Sequence, residues 1–175
     1  MDGSPPIFSG SSAVVAKARV LAEGNVEIRP ARASDVASIR RVVRDAYAPY
    51  IPRIGSDPAP MSADYERLVA RGAVTVAVEG DAVLAVLVLV PEPESLLLEN
   101  VAVAPAAQGR GIGRALVLFA ERRARELGLA KVTLYTNARM TENLSFYPAL
   151  GYVEVDRRCE HGFERVFFEK TLPLP

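Results

Sequence analysis

Apolar residues recur along this chain with two periods. Val26-Glu27-Ile28-Arg29-Pro30 alternates and is stopped by proline, which predicts a short strand. Val36, Ile39, Val43, Ala46 and Tyr47 recur at helical spacing and predict an amphipathic helix over about 35–47, with Ser34-Asp35 as N-cap and first-turn acid. Ser62 is the expected cap of a second helix that carries Tyr65, Leu68 and Val69 on one face and ends at Gly72. Between these helices, residues 48–60 hold four prolines and one glycine. They predict a rigid, irregular connector of 13 residues, a length at which loops are often functional. Residues 73–79 and 82–90 read as strands joined by a two-residue turn at Gly80-Asp81. After the break at Pro91-Glu92-Pro93-Glu94, residues 96–104 form a further strand closed by Pro105. Ile112, Leu116, Phe119, Ala120 and Leu127 trace a helix face, with Gly128 as its stop. Residues 131–136 are a strand, and strand, helix and strand in that order make a parallel crossover. A short helical segment near 141–150 and a last hairpin, 152–158 with 164–171, complete the chain, the hairpin turning near Glu160-His161-Gly162. The fold class is therefore mixed α/β: a mixed sheet covered by helices on both faces. Residues 1–12 are rich in Gly, Ser and Pro, and 13–24 show no clear period. Residues 1–25 are set apart as an N-terminal appendage, weakly ordered or packed on a domain over 26–175.

Composition narrows the classes of function. A length of 175 residues fits one domain, and 50% apolar with 24% charged residues excludes wholesale disorder. Twenty-one basic residues balance 21 acidic ones, so nothing draws the whole chain to nucleic acid or an anionic membrane surface. A single cysteine, Cys159, excludes an intrachain disulfide, and a single histidine, His161, excludes zinc sites built on His pairs. The longest apolar run is nine residues, 82–90, where a membrane span needs about 20. The first residues lack a basic segment followed by a long apolar one, so no secretory signal is read there. The expectation is a reduced, cytoplasmic protein without nucleic-acid or membrane partners; a homodimer is left open.

The chemistry concentrates in Gln108-Gly109-Arg110-Gly111-Ile112-Gly113-Arg114, between a strand end and a helix start. Glycines bring backbone N–H groups close to a ligand, and a helix N-terminus adds unpaired N–H groups and a positive dipole end. Together they suit a phosphate, with Arg110 and Arg114 adding charge at the rim. Position 114 is arginine, which breaks the dinucleotide pattern G-x-G-x-x-G, and the Gly-Lys-Ser/Thr ending of a P-loop is absent.

Gln108-x-x-Gly111-x-Gly113 after Val101-Ala102-Val103-Ala104-Pro105 resembles the acetyl-CoA pyrophosphate loop of the GCN5-related N-acetyltransferase (GNAT) superfamily. Asn143-Leu144-Ser145-Phe146-Tyr147, followed by Leu150-Gly151-Tyr152, resembles that superfamily's second block, so the likeness covers about 26–172. It implies a three-layer α-β-α fold, mostly antiparallel, with one parallel strand pair, 96–104 and 131–136, splayed apart. Acetyl-CoA is the implied cosubstrate, its pantetheine hydrogen-bonding like an extra strand to backbone around Val101 and Val103. Its pyrophosphate would sit on N–H groups of 108–114, namely Gln108, Gly109, Arg110, Gly111, Ile112, Gly113 and Arg114.

The resemblance assigns Tyr147 as the acid that protonates the leaving thiolate; a packed helix tyrosine is the other reading. Asn143 is either a cofactor contact or a polar residue at a helix start. Glu99 interrupts an apolar strand and is either the base or a structural glutamate. Strict alternation puts it on the face of Val101 and Val103 and turns Asn100 away, making Asn100 the weaker choice. Pro148 departs from the usual second block and deletes one helix hydrogen bond next to Tyr147. Cys159 and His161 lack an orienting third residue and read as strand cysteine and turn histidine. On the acceptor side, Tyr47, Tyr50 and Arg53 supply two hydroxyls and a charge able to hold a carboxylate bidentately, unless Arg53 is only a solvated surface charge. The connector's only acid, Asp57, disfavours a polyamine and favours a small-molecule amine with its own carboxylate or polar groups. The expected function is direct acetyl transfer from acetyl-CoA to an amine. The alternative is a non-catalytic acyl-CoA-binding regulatory module on the same scaffold.

Overall fold

The computed structural model describes residues 19–20 and 25–173. Strands β1 (Arg19–Val20), β2 (Val26–Pro30), β3 (Val74–Glu79), β4 (Ala82–Pro91), β5 (Leu96–Val103), β6 (Lys131–Asn137), β7 (Val153–Glu160) and β8 (Phe163–Thr171) form one sheet in the order β1-β2-β3-β4-β5-β6-β8-β7. Every pair is antiparallel except β5 with β6. Most of the N-terminal appendage lies outside the described residues; Arg19 and Val20 pair with Ile28 and Glu27.

The helices are α1 (Val36–Tyr47), α2 (Ile51–Ile54), α3 (Tyr65–Ala70), α4 (Ile112–Glu126) and α5 (Thr141–Ala149). One buried cluster joins Ile39 and Val43 of α1 and Tyr65 of α3 to Val76, Val86 and Ala102 of the sheet. A second joins Leu116 and Ala120 of α4 and Tyr147 of α5 to Leu87, Leu98, Leu134 and Phe168. The alternating strands thus bury both faces, which makes three layers. Helices α1 and α3 cover one side and α4 and α5 the other.

Several local signals resolve differently from their sequence expectation. Ser34-Asp35 lies in a 3₁₀ turn, Ala33–Asp35, before α1. Asp35 accepts the Arg32 N–H at 2.7 Å and pairs with Arg29 at 2.7 Å, so its carboxylate, held below the usual range chiefly by the Arg29 hydrogen bond, ties β2 to that turn. Asp64, not Ser62, caps α3 by accepting the Arg67 N–H at 3.0 Å. The proline-rich connector holds the one-turn α2 between 3₁₀ turns at Ala48–Tyr50 and Ala59–Ser62. At the far edge, β7 is exposed along nearly its whole length, with Val153 and Val155 open to solvent. Its pairing with β8 slips by one residue at Val155.

Candidate active site

Two features of β5 create the site. Leu96, Leu97 and Leu98 pair with Val132, Thr133 and Leu134, and the parallel ladder stops there. Beyond Leu98 the two strands part, while β5 stays paired to β4 through Val103 and β6 to β8 through Asn137. One side of the β5 backbone is therefore open where a ligand strand would add.

The second feature is a bulge at Glu99. Val88 pairs with Asn100 and Leu89 with Leu98, which leaves Glu99 as an extra residue. Leu96 and Leu98 belong to the same cluster that Val101 and Val103 pack against, so strict alternation fails between them. Glu99 is consequently exposed at the splay rather than buried in the strand. Asn100 is buried, on the α1 side. Tyr47 donates to its Oδ1 at 2.5 Å, its Nδ2 donates to the Tyr65 hydroxyl at 3.2 Å, and Tyr65 donates to the Pro60 carbonyl at 2.8 Å. This chain fastens the connector to the bulge.

These elements enclose a cavity of about 180 Å³. Tyr47, Glu99, Val101, Asn143 and Tyr147 line it, so the structure brings together five of the residues singled out in the sequence. It adds Tyr65, Tyr135 and Arg165, none of them singled out as site residues in the sequence, and Asn100, which strict alternation turned away. Tyr50 packs against Tyr47 outside the lining, with ring centroids 6.4 Å apart. Arg53 stacks over Tyr50 and is held by Glu142 of α5 at 2.8 Å, so its charge already has a carboxylate partner. Asn143 donates to Thr136 Oγ1 at 2.9 Å and fixes α5 against the end of β6. Helix α5 runs through Pro148, which sits in its last turn, and Tyr147 stays packed between Phe146, Tyr152 and Phe168.

Burial pushes the hydroxyls of Tyr47 and Tyr147 well above their ordinary pKa, and that of Tyr65 to about 12. The neutral form is favoured because a phenolate loses its hydration there. Since the folded values are raised, these tyrosines contribute full stability below about pH 10, the unfolded value, and lose it as pH rises through the folded values. Denaturant unfolding followed from pH 8 to 12, beside phenolate absorbance, is expected to show stability falling only above about pH 10. Stability that stays flat while all phenolates form would contradict these burials.

The glycine loop lies at the other end of β5. Gln108 donates from Nε2 to the Val103 carbonyl at 3.2 Å and latches the loop to the strand. Gly109 and Gly111 adopt φ of 77° and 74°, which L side chains rarely tolerate, and Gly111 is the N-cap of α4. The Ala115 N–H is bonded to the Gly111 carbonyl, so the N–H groups of Ile112, Gly113 and Arg114 precede the helical ladder and are available to an anion. The Ile112 side chain is core, and only its backbone belongs to the loop. Arg110 is engaged by Glu79 at 2.8 Å, whereas Arg114 is exposed. Gly113 packs where an added Cβ would meet Val103 Cγ2 at 3.6 Å, an ordinary contact.

A family model described as the acetyltransferase (GNAT) family matches residues 39–152. The chain belongs to the GNAT family. The match contains the splay, the bulge, the glycine loop and Tyr147. Among curated relatives of this GNAT chain, the mycothiol acetyltransferase of Pseudarthrobacter chlorophenolicus is 44% identical over 62 residues, 35% of this chain and 19% of that protein. That of Nocardia farcinica is 48% identical over 52 residues, 30% of this chain and 17% of that protein. The chain therefore spans about a fifth of the length of the curated relatives it matches. The GNAT fold is shared with the PaiA N-acetyltransferase of Thermoplasma acidophilum, solved in complex with coenzyme A, at TM-score 0.73 and 19% identity over 83% of this chain and 98% of that one. It is shared also with the ribosomal-protein-S18-alanine N-acetyltransferase of Escherichia coli, at TM-score 0.68 and 17% identity over 86% and 96%. Among the described residues no helix is long and apolar enough to cross a membrane.

Proposed function

We propose that this chain transfers an acetyl group from acetyl-CoA directly to the amine of a small acceptor. The observation that carries the reading is the parting of β5 from β6 after Leu98, with the amide-bearing loop at one end and the Tyr147-lined cavity beside it. Pantetheine would take the open side of β5 near Val101 and Val103, and the pyrophosphate would take the N–H groups from Gln108 to Arg114. Asn143 would flank the cofactor.

The chemistry assigns each residue a proton. An acceptor arrives largely as an ammonium and gives one proton to Glu99 through water, because only the free amine attacks. Its nitrogen bonds to the thioester carbon, the C–S bond breaks, and the Tyr147 hydroxyl donates toward the departing sulfur. A tyrosine with a raised pKa stays protonated at working pH, and its proton is shared with the sulfur while negative charge develops there. The second proton leaving the nitrogen restores the phenol. The products are the amide, coenzyme A thiol and one proton released to solvent. Retention of Tyr147 in the cavity favours this over a module that only binds acyl-CoA.

Glu99→Gln is expected to lower kcat/KM mainly below the pKa of the acceptor amine and progressively less above it, where free amine is plentiful. A pH–rate series on both proteins measures this. A constant fractional loss at every pH would make Glu99 structural. Turnover is tested by thiol release from acetyl-CoA across a panel of amines, read by mass spectrometry, beside a calorimetric acetyl-CoA titration. Binding without turnover on any amine would sink the transferase reading and leave a binding module.

A further inference from the structure

Arg165 enters the cavity wall from β8, beside Tyr135, Asn137 and Phe163. Its side chain is 13% exposed. A guanidinium carries five N–H donors, and among the described residues this one makes a single hydrogen bond, from Nη1 to Glu160 Oε2 at 3.1 Å. Glu160 itself is shared with Arg158 at 2.7 Å. The Arg165 guanidinium lies over the Tyr135 ring, 4.3 Å from its centroid, and so is fixed in place. A largely buried cation with a half-shared partner and unspent donors is matched to a second carboxylate.

In the lining of the same cavity, Glu99 is exposed at the bulge and has no ion pair among the described residues. The Tyr135 hydroxyl feels both charges, Arg165 and Glu99. Ile54, Pro58, Pro60, Leu68 and Met140 give the wall an apolar stretch beside its polar residues. A cavity of about 180 Å³ suits a small molecule.

We infer that the acceptor is a free amino acid with an apolar side chain, its carboxylate held by Arg165, its amino group presented toward Glu99 and its side chain on the apolar wall. This rests on the proposed transferase reading and names its substrate class. Anchoring falls to Arg165, since Arg53 lies outside the cavity lining and is paired with Glu142.

The experiment compares L-leucine with leucine amide and 3-methylbutylamine, and L-phenylalanine with 2-phenylethylamine, as acetyl acceptors at equal free-amine concentration. The parent protein is expected to favour each amino acid at least about tenfold in kcat/KM, the scale of one charge-assisted bidentate contact. Arg165→Gln is expected to raise KM for the amino acids far more than for the decarboxylated amines and so erase that preference. Arg165→Lys is expected to restore part of it, with melting curves confirming that both variants fold. Equal use of amino acids and amines by the parent, or a preference that survives Arg165→Gln, would overturn the assignment and leave acetyl transfer standing. If no amine is acetylated, titration of L-leucine into the protein with coenzyme A decides. Binding abolished by Arg165→Gln upholds the anchor after the transferase reading has fallen, and absence of binding overturns both.

Discussion

Tyr147→Phe is expected to lower kcat about 10²–10⁴-fold, the usual loss when a general acid is removed, while acetyl-CoA affinity stays within a few-fold of the parent. The separation follows from where the side chain sits. Its ring is packed edge-on against Phe146 at 5.1 Å and Tyr152 at 5.9 Å, and phenylalanine keeps those contacts. Only the hydroxyl differs, and Tyr147 lines the cavity beside the open strand. The loss is expected to shrink with acyl donors whose thiols leave readily without protonation. Steady-state kinetics with a confirmed acceptor, beside a calorimetric acetyl-CoA titration, measure both quantities. Full parental turnover in folded Tyr147→Phe would assign the thiolate's proton to water or another residue. A kcat on the plateau that falls between pH 8 and 9.5 in the parent would also count against Tyr147, because burial moves its ionisation above 10.

Gly111→Asp is expected to weaken acetyl-CoA at least tenfold without unfolding the protein. An added Cβ at Gly111 meets nothing within 4 Å, so packing is spared. The φ of 74° strains any L residue by roughly 1–2 kcal/mol, and aspartate is among those that meet it most readily. The introduced carboxylate, however, stands at the N-cap of α4, where the amides of Ile112, Gly113 and Arg114 would receive the pyrophosphate. It competes for those donors and repels the ligand. At a hundredfold excess over Kd the parent gains about 2.7 kcal/mol of apparent stability from the ligand, and a tenfold weaker site gains about 1.4 kcal/mol. Thermal shift by acetyl-CoA reads the difference directly. A shift unchanged by the substitution would remove the loop from the cofactor site.

Periodicity carried most of the architecture. The helix over Ile112–Glu126 and its stop at Gly128, and the turn at Gly80-Asp81, follow from short-range pattern and from glycines with φ of 71° and 58°. What local pattern could not hold was anything decided by a partner strand. The bulge at Glu99 exists because β4 offers one residue fewer than β5 between two pairings, and β4 is remote in the reading of β5. Strict alternation therefore dismissed Asn100, which in the fold joins Tyr47 and Tyr65. The same limit governed the charges. Arg53 looked free because Glu142, its partner, lies 89 residues away, and Arg165 was not singled out because only its pairing opposite Asn137 brings it to the cavity. Glu99 and Tyr147 were legible because one breaks an apolar run and the other sits in a recognisable block.

The outermost strand has a consequence for how the molecule behaves at high concentration. An edge of unpaired amides with exposed valines is a template on which strands of other chains can stack into aggregates. Here Val153 and Val155 are flanked by Glu154, Asp156, Arg157, Arg158 and Glu160. Their charges are matched along the strand itself, Arg157 with Glu154 at 2.5 Å and Arg158 with both Asp156 and Glu160. A neighbouring strand laid on that edge must strip water from these internal pairs without offering them better ones. The slip at Val155 also twists the edge away from the flat geometry that stacking requires. Resistance to edge-on stacking is thus built into the same hairpin that delivers Arg165 to the cavity.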